Sequence, residues 1–385
     1  MMTLNKKTIL PGQTIGIIGG GQLGRMMALS AKHNGFRIAV LDPSPSSPCA
    51  QVADLVITAP FDQYEALDRL ADVSDVITYE FENIDYDALK WLSARAYLPQ
   101  GAELIRITQD RIKEKEALTL AGVEVAPYAV IQQEEDIYDN IEKLGYPAVL
   151  KTSRGGYDGK GQFVIRRVEE VSDAAVLLEN GPCVLEKWIP FQKELSVIVT
   201  RNPGGQQTHF PVVENIHVDN ILHETIAPAR IEDRISRIAI DMAEKISETL
   251  DLVGTLAIEM FLTEDGAIYI NELAPRPHNS GHYSIEACDS SQFDQHIKAI
   301  CNWPLVQPSL LKDAVMVNLL GEHIEPIMKA IPKQPDWFIH LYGKDVPKPK
   351  RKMGHVTILT EDIEETITDV NEAGIWNVQE KIGGR

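Results

Sequence analysis

Apolar positions along the chain follow two rhythms. In the first third, short apolar runs alternate with stretches of helical spacing. Gln13–Ile18 and Arg37–Leu41 read as strands, Gln22–Asn34 as a helix, and Asp75–Tyr79 as a later strand. Such alternation predicts a parallel sheet with helices on its faces. Thr108–Ala121 predicts a charged helix, stopped by Gly122. Beyond it the pattern turns strand-rich, in PAVLKTS, GQFVIRR, CVLEKWI, ELSVIVT and FPVVENI. A helix over about Glu232–Leu250 is followed by a hairpin, GTLAIEMFLTEDGAIYINELAP. A last group of short elements begins after Pro308 and includes AVMVNLLG and the basic stretch GKDVPKPKRKMGHVTIL. The expected fold class is α/β combined with α+β. No segment repeats.

The hairpin carries the sharpest chemistry. With Asp265-Gly266 as a two-residue turn, Glu259 stands opposite Glu272. Ala257, Phe261, Ile268 and Ile270 then share the face of the two acids, and Leu256, Ile258, Met260 and Leu273 occupy the other. Facing side chains have Cβ atoms roughly 4.5–5.5 Å apart. Two carboxylates that close, on a sheet apolar on both sides, repel unless a proton or cation sits between them. Hard oxygen ligands beside a phosphate loop point to magnesium bridging nucleotide phosphates.

A candidate for that phosphate loop lies upstream. The strand ending in Lys151 runs into Gly155, Gly156, Tyr157, Asp158, Gly159, Lys160, Gly161 and Gln162. Free amides in such a loop can cap phosphates, and the lysine adds a fixed charge. The loop is no Walker A, because Gln162 follows Gly161, and no kinase loop, because no HRD or DFG follows. Glu186 and Glu194 flank Trp188 and Ile189, a pattern that suits an adenine and a ribose but also describes any amphipathic strand pair.

Other motifs compete. Gly19–Gly24 fits G-x-G-x-x-G between a strand and a helix, with Asp42 at the end of the second strand, as in dinucleotide folds. The physics of that loop supports an anion site at a helix N-terminus. His278 and His282 are four apart, but HNSGH lacks the glutamate of HExxH. Arg276 and His278 are better placed for an anionic substrate, and Lys344, Lys348, Lys350, Arg351 and Lys352 form a concentrated basic patch.

Composition narrows the classes. Across 385 residues, 37 Lys and Arg against 56 Asp and Glu give a net charge of −19. A chain this acidic is not expected to coat nucleic acid or an anionic membrane. The four cysteines form no CxxC pair, which suits a reducing compartment and argues against structural zinc. Pro11, Gly12 and Gln13 interrupt the early apolar stretch, so a signal peptide is not expected. No apolar run nears the roughly 18 residues of a membrane span. A cytoplasmic protein is expected.

Taken together, GIIGGGQLGRM, TYEFENI, QDRIKEK, the Lys151 strand, GGYDGKGQ, NIHVDNIL, NELAPRPHNSGHY and GKDVPKPKRKMGHVT resemble the ATP-grasp superfamily, and within it the N5-carboxyaminoimidazole ribonucleotide synthases of purine biosynthesis. The resemblance spans nearly the whole chain. It implies an N-terminal Rossmann-like (pre-ATP-grasp) domain over 1–110, an ATP-grasp domain over 111–307, and a small C-terminal domain over 308–385 that completes the substrate site. It also implies a ligase that carboxylates 5-aminoimidazole ribonucleotide with bicarbonate and ATP, through carboxyphosphate.

By that likeness ATP is bound by Arg111, Lys151, the loop Gly156, Tyr157, Asp158, Gly159, Lys160, Gly161 and Gln162, the stretch Glu186, Lys187, Trp188 and Ile189, then Glu194, His217, Asn271 and Glu272. Glu259 and Glu272 hold magnesium, two ions in all. Lys151, Tyr157 and Asp158 are the catalytic candidates. Gln22, Leu23, Glu80, Arg276, His278, Lys344 and Arg351 face the ribonucleotide. A homodimer and a functional link to a downstream mutase are implied too, with no nicotinamide or flavin. The competing readings are a formate-dependent glycinamide ribonucleotide transformylase, a nicotinamide-dependent dehydrogenase built on the first glycine loop, and a catalytically silent nucleotide-binding regulator.

Overall fold

Fully buried Ile15, Ile17 and Ile18 mark the first strand as the inside of a sheet covered on both faces. That strand, β1 (Thr14–Ile18), lies with β2 (Arg37–Asp42), β3 (Leu55–Thr58) and β4 (Val76–Tyr79) in a parallel sheet of order β3–β2–β1–β4. The structure, a computed structural model, describes residues 7–156 and 160–376. On one face Ile15 and Ile17 share a core with Met26 and Met27 of the Gln22–His33 helix. On the other, Ile18, Leu41 and Ile57 share one with Leu67 and Leu70 of the Tyr64–Val73 helix. The first core also takes in Phe293, Ile297 and Ile300 from the Gln292–Ile300 helix. An apolar seam thus fixes the N-terminal sheet against the rest of the chain, which matters for a site assembled from both.

The second sheet is antiparallel: β5 (Tyr128–Ile131), β6 (Ala148–Thr152), β7 (Gln162–Ile165) and β8 (Cys183–Lys187), ordered β5–β8–β6–β7. Ile137 and Ile141 of the Glu134–Leu144 helix close its core. The third sheet has nine strands. These are β9 (Phe191–Arg201), β10 (Gln207–His209), β11 (Val213–Val218), β12 (Ile221–Ala227), β13 (Gly254–Thr263), β14 (Ile268–Ala274), β15 (Asp313–Leu320), β16 (Trp337–Leu341) and β17 (Lys352–Thr360). The order is β14–β13–β9–β11–β12–β15–β17–β16, with β10 paired to β9. The C-terminal strands therefore extend the central sheet at β12, with a core of their own around Val317, Val356 and Trp376. The Asp233–Thr249 helix buries Ile235, Ala239, Ala243 and Ile246 in the core that holds Val197, Val199, Leu256 and Ile258.

Two local expectations need correction. The charged segment is not one helix from Thr108. Glu103–Thr108 is a separate helix, and the second runs Arg111–Leu120. Asp110 starts it: the side chain accepts from Ile112 N at 3.2 Å and from Ser153 Oγ at 2.6 Å, an N-cap anchored to the second sheet.

The hairpin turn is also longer than two residues. Thr263 N donates to Ala267 O and Gly266 N to Thr263 O, both at 3.0 Å, so Glu264, Asp265 and Gly266 form the loop. Gly266 sits at φ 82°, the left-handed conformation that closes a three-residue hairpin. A bulge offsets the extra residue. Met260 pairs with Ile270, but Glu259 pairs with Glu272, leaving Asn271 unmatched. As a result Ile268 and Ile270 do not share the acids' face; they enter the core with Ile258, Met260 and Leu262.

Candidate active site

The second and third sheets face each other across a cleft of about 430 Å³. Each contributes charged side chains from its strands. Lys151 comes from β6 and Glu186 from β8. Glu194, His217, Glu259 and Glu272 come from β9, β11, β13 and β14. The same cleft collects Arg111, Gly156, Lys160, Gly161, Gln162, Lys187, Trp188, Ile189, Asn271, Arg276 and His278. Tyr157, Asp158 and Gly159 lie outside the described residues.

At the deep end, Lys151 Nζ donates to Glu186 Oε2 at 3.0 Å, and Lys115 Nζ lies 3.4 Å from the other oxygen. Burial opposes a charge on Glu186, but the two lysines hold its carboxyl below the usual carboxylate range. Two cations against one anion leave a surplus positive charge at the place where Lys151 enters the cleft. Ala126, Val149, Ile189 and Leu273 supply apolar walls, the lining a flat aromatic base needs. His217 Nδ1 lies 3.0 Å from Glu194 Oε2. Burial works against a charge on His217, yet the Glu194 and Glu259 carboxylates lift its imidazole above the ordinary value.

Glu259 and Glu272 face one another across β13 and β14. Burial, and then the charge of Glu272, push the Glu259 carboxyl up to about 7. His278 Nε2 is 3.4 Å from Glu259 Oε1, but burial and the nearby Arg276 and Lys352 hold that imidazole neutral. Arg111 Nη1 is 3.9 Å from Glu272 Oε2, too far for a close ion pair. The acids are short of positive charge, which suits a hard cation. Among the described residues no group of three or more His, Cys, Asp or Glu side chains is arranged to hold a metal. An ion between Glu259 and Glu272 must take further oxygens from elsewhere, as nucleotide phosphates provide.

Arg276 is held rather than free. Its Nε and Nη2 donate to Glu82 Oε2 and Oε1 at 2.5 and 3.1 Å, a forked bridge from the N-terminal domain to the end of β14.

Five of the other residues expected at the ribonucleotide, Gln22, Leu23, Glu80, Lys344 and Arg351, lie outside the lining of this cleft, and Lys344 links one of them to it. Lys344 Nζ donates to Gln22 Oε1 at 2.7 Å and to the main-chain oxygen of Lys352 at 2.6 Å, and Lys352 itself lines the cleft. Burial and the neighbouring Arg351 lower Lys344 to about 8. Arg351 Nη1 donates to Val346 O at 3.1 Å. Leu23 has its side chain in the N-terminal core, so only its main chain is available to a ligand.

Glu80 corrects the first glycine loop. Its carboxylate accepts from Gly21 N and, at 2.6 Å, from Gly24 N, while Asp42 Oδ2 accepts from Gly20 N at 2.7 Å. The helix N-terminus is capped by the protein's own carboxylates, and Asp42 turns back on the loop instead of towards a ribose. A Cβ at Gly24 would meet Gly19 O at 2.5 Å, so these glycines serve close packing. A pyrophosphate has no place there.

Sequence reasoning passed over Glu82, Glu114, Lys115 and Ser153, and named Lys352 only as part of the basic patch. A signal existed for two of them. Arg111, Glu114, Lys115 and Leu118 follow i, i+3, i+4, i+7 spacing, one helix face. Charges on a face that ought to be apolar mark the side turned to a polar site. Glu114 and Lys115 are indeed almost fully buried.

Comparison with known proteins adds to this geometry. Residues 12–109 match the ribonucleotide synthetase preATP-grasp domain, 116–293 the ATP-grasp domain, and 314–369 the phosphoribosylaminoimidazole carboxylase C-terminal domain. N5-carboxyaminoimidazole ribonucleotide synthase of Bacillus subtilis is 53% identical over 95% of this chain and 97% of its own. The enzyme of that name from Staphylococcus aureus is 48% identical over 93% and 96%. Among solved structures, an ADP complex of N5-carboxyaminoimidazole ribonucleotide synthetase superposes with a TM-score of 0.94 at 57% identity, covering 97% of this chain and 99% of that one. The Aspergillus clavatus enzyme with ADP and 5-aminoimidazole ribonucleotide gives 0.88 at 34% identity, covering 94% and 97%.

Proposed function

Because the chain belongs to the N5-carboxyaminoimidazole ribonucleotide synthase family of ATP-grasp enzymes, we propose that it carboxylates 5-aminoimidazole ribonucleotide with bicarbonate at the expense of ATP. The observation that carries this reading in the molecule is the cleft itself, with Lys151 at one end and the facing Glu259 and Glu272 at the other. The adenine lies among Val149, Ile189 and Leu273, and Glu194 with His217 takes the ribose. Lys151, Arg111 and the amides of Gly156–Gln162 cradle the phosphates.

A bicarbonate oxygen attacks the γ-phosphorus, the bond to ADP breaks, and carboxyphosphate forms. The chain does little covalent work here; Lys151, steadied by Glu186, and Arg111 balance charge on the phosphoryl oxygens. Magnesium, two ions, held through Glu259 and Glu272, supplies further charge neutralisation when bound. Carboxyphosphate then yields carbon dioxide and phosphate inside the cleft. The exocyclic amine of the ribonucleotide bonds to that carbon and loses a proton, giving the carbamate.

Arg276, His278, Gln22, the Leu23 main chain, Glu80, Lys344 and Arg351 form the ribonucleotide side, with Lys344 and Arg351 assigned to its phosphate. Tyr157 and Asp158 are assigned to the amino-imidazole ring on the family likeness alone. The same likeness supports a homodimer, the domain limits 1–110, 111–307 and 308–385, and a downstream mutase that consumes the product. Four buried free cysteines accord with a reducing cytoplasm. No described helix is long and apolar enough to cross a membrane. The test is ADP release measured with each substrate omitted in turn. Release that needs both bicarbonate and the ribonucleotide supports the assignment; release driven by formate, or indifferent to the ribonucleotide, overturns it.

A further inference from the structure

β14, which carries Asn271 and Glu272, stands at the end of the nine-stranded sheet. Amides on the far side of an edge strand need partners from elsewhere. Two have them. Ile270 N donates to Glu124 O at 2.8 Å, and Leu273 N donates to Glu114 Oε1, also at 2.8 Å. The bulge lies between these two anchors, with Asn271 unmatched and Glu272 returned to its place opposite Glu259. A bulge leaves one residue unpaired, disrupts the ladder locally and bends the strand, so the inner pairing at Glu272 begins only beyond the break. The outer hydrogen bonds bracket it. Glu114 is only 2% exposed, so water cannot replace its oxygen if the side chain is shortened.

We infer that Glu114 is a positioning residue: its carboxyl oxygen pins the Leu273 amide and thereby holds Glu272 in register with Glu259 for the divalent cation. This rests on the metal assignment made above. Glu114 also lines the cleft, so the rival role is that of a third metal ligand. The two roles differ in what they require. A ligand needs the charged carboxylate, whereas a strand anchor needs only an acceptor oxygen of the right reach, which glutamine keeps.

The test uses the full-length protein and two readouts besides turnover. These are ADP affinity by calorimetry with and without magnesium, and amide exchange over Ile268–Ala274. Glu272→Ala is expected to lose the gain in affinity that magnesium gives. Glu114→Gln is expected to keep both that gain and the strand's protection. Glu114→Leu is expected to lose roughly tenfold of the gain, the order of one buried amide left unpaired, with faster exchange in the strand and unchanged affinity for magnesium-free ADP. If Glu114→Gln loses the gain as fully as Glu272→Ala, Glu114 is a ligand and the inference is wrong. It is equally wrong if Glu114→Leu keeps both the gain and the protection. Should Glu114→Leu not fold, the glutamine variant decides. A magnesium gain that survives Glu272→Ala removes the metal assignment itself, a separate failure.

Discussion

Lys151 and Glu186 form a buried ion pair with Nζ and Oε2 3.0 Å apart, and a second lysine, Lys115, sits 3.4 Å from the opposite carboxylate oxygen. Buried charges are tolerated only when balanced, and removing the shared partner is the costly change. Glu186→Leu strands two ammonium groups and is expected to cost roughly 3–5 kcal/mol in chemical denaturation. Lys115→Met leaves the Lys151–Glu186 pair intact and is expected to cost clearly less. The order of the two losses is the check; equal costs would mean that Glu186 does not balance both lysines.

The facing acids predict a trade between stability and activity. With no cation between them Glu259 and Glu272 repel each other, and Glu259 is also largely desolvated. Glu259→Gln is therefore expected to raise the melting temperature of the magnesium-free protein while lowering turnover by about a hundredfold or more. A variant that melts lower without metal and still turns over normally would remove the pair from the metal site.

Arg276 ties the N-terminal domain to β14 through Glu82. Truncating either partner leaves a largely desolvated charge, so Glu82→Leu and Arg276→Leu should each destabilise by roughly 2–4 kcal/mol. The double substitution should cost less than the sum, because no charge is then left alone. A double-mutant cycle by urea unfolding reads this directly; strict additivity would show that the bridge is incidental.

Lys344 sets a pH dependence. Its folded value near 8 lies below the ordinary lysine value because of burial and the charge of Arg351. Between about pH 8 and that ordinary value the unfolded chain binds more protons than the folded one. The Lys344 contribution to stability therefore rises with pH through this window, and the cost of its burial is felt in full below it. A substrate phosphate favours the charged form, so ribonucleotide binding at pH 8.5 is expected to take up protons, roughly half of one or more per site for this group. Calorimetry in buffers of different ionisation enthalpy measures that uptake. Lys344→Arg, charged throughout, should abolish it; uptake that persists in this variant belongs to another group.

Much of the architecture was legible because periodicity reports burial. Ile15, Ile17 and Ile18 read as a buried parallel strand and are one, and the glycine after the Arg111–Leu120 helix ends it as expected, at φ 63°. The Glu259–Glu272 pairing was reached by two errors that cancel. The turn is one residue longer than a two-residue loop, and the bulge at Asn271 removes that residue again. Alternation cannot reveal a bulge, so the faces of Ile268 and Ile270 came out reversed. Gly19–Gly24 misled for a related reason. Local sequence shows that amides are available at a helix start, but Glu80, some sixty residues away in the chain, decides what fills them. The Glu82–Arg276 bridge, with partners on different domains, was invisible to any local pattern.

In the proposed reaction this cleft joins bicarbonate to the γ-phosphoryl group before the ribonucleotide is carboxylated. Bicarbonate labelled with heavy oxygen tests it most directly, by mass analysis of the phosphate released in a full reaction mixture. Each phosphate is expected to carry one oxygen from bicarbonate, left behind when carboxyphosphate breaks down. Phosphate free of the label, with carboxylated product still formed, would contradict it.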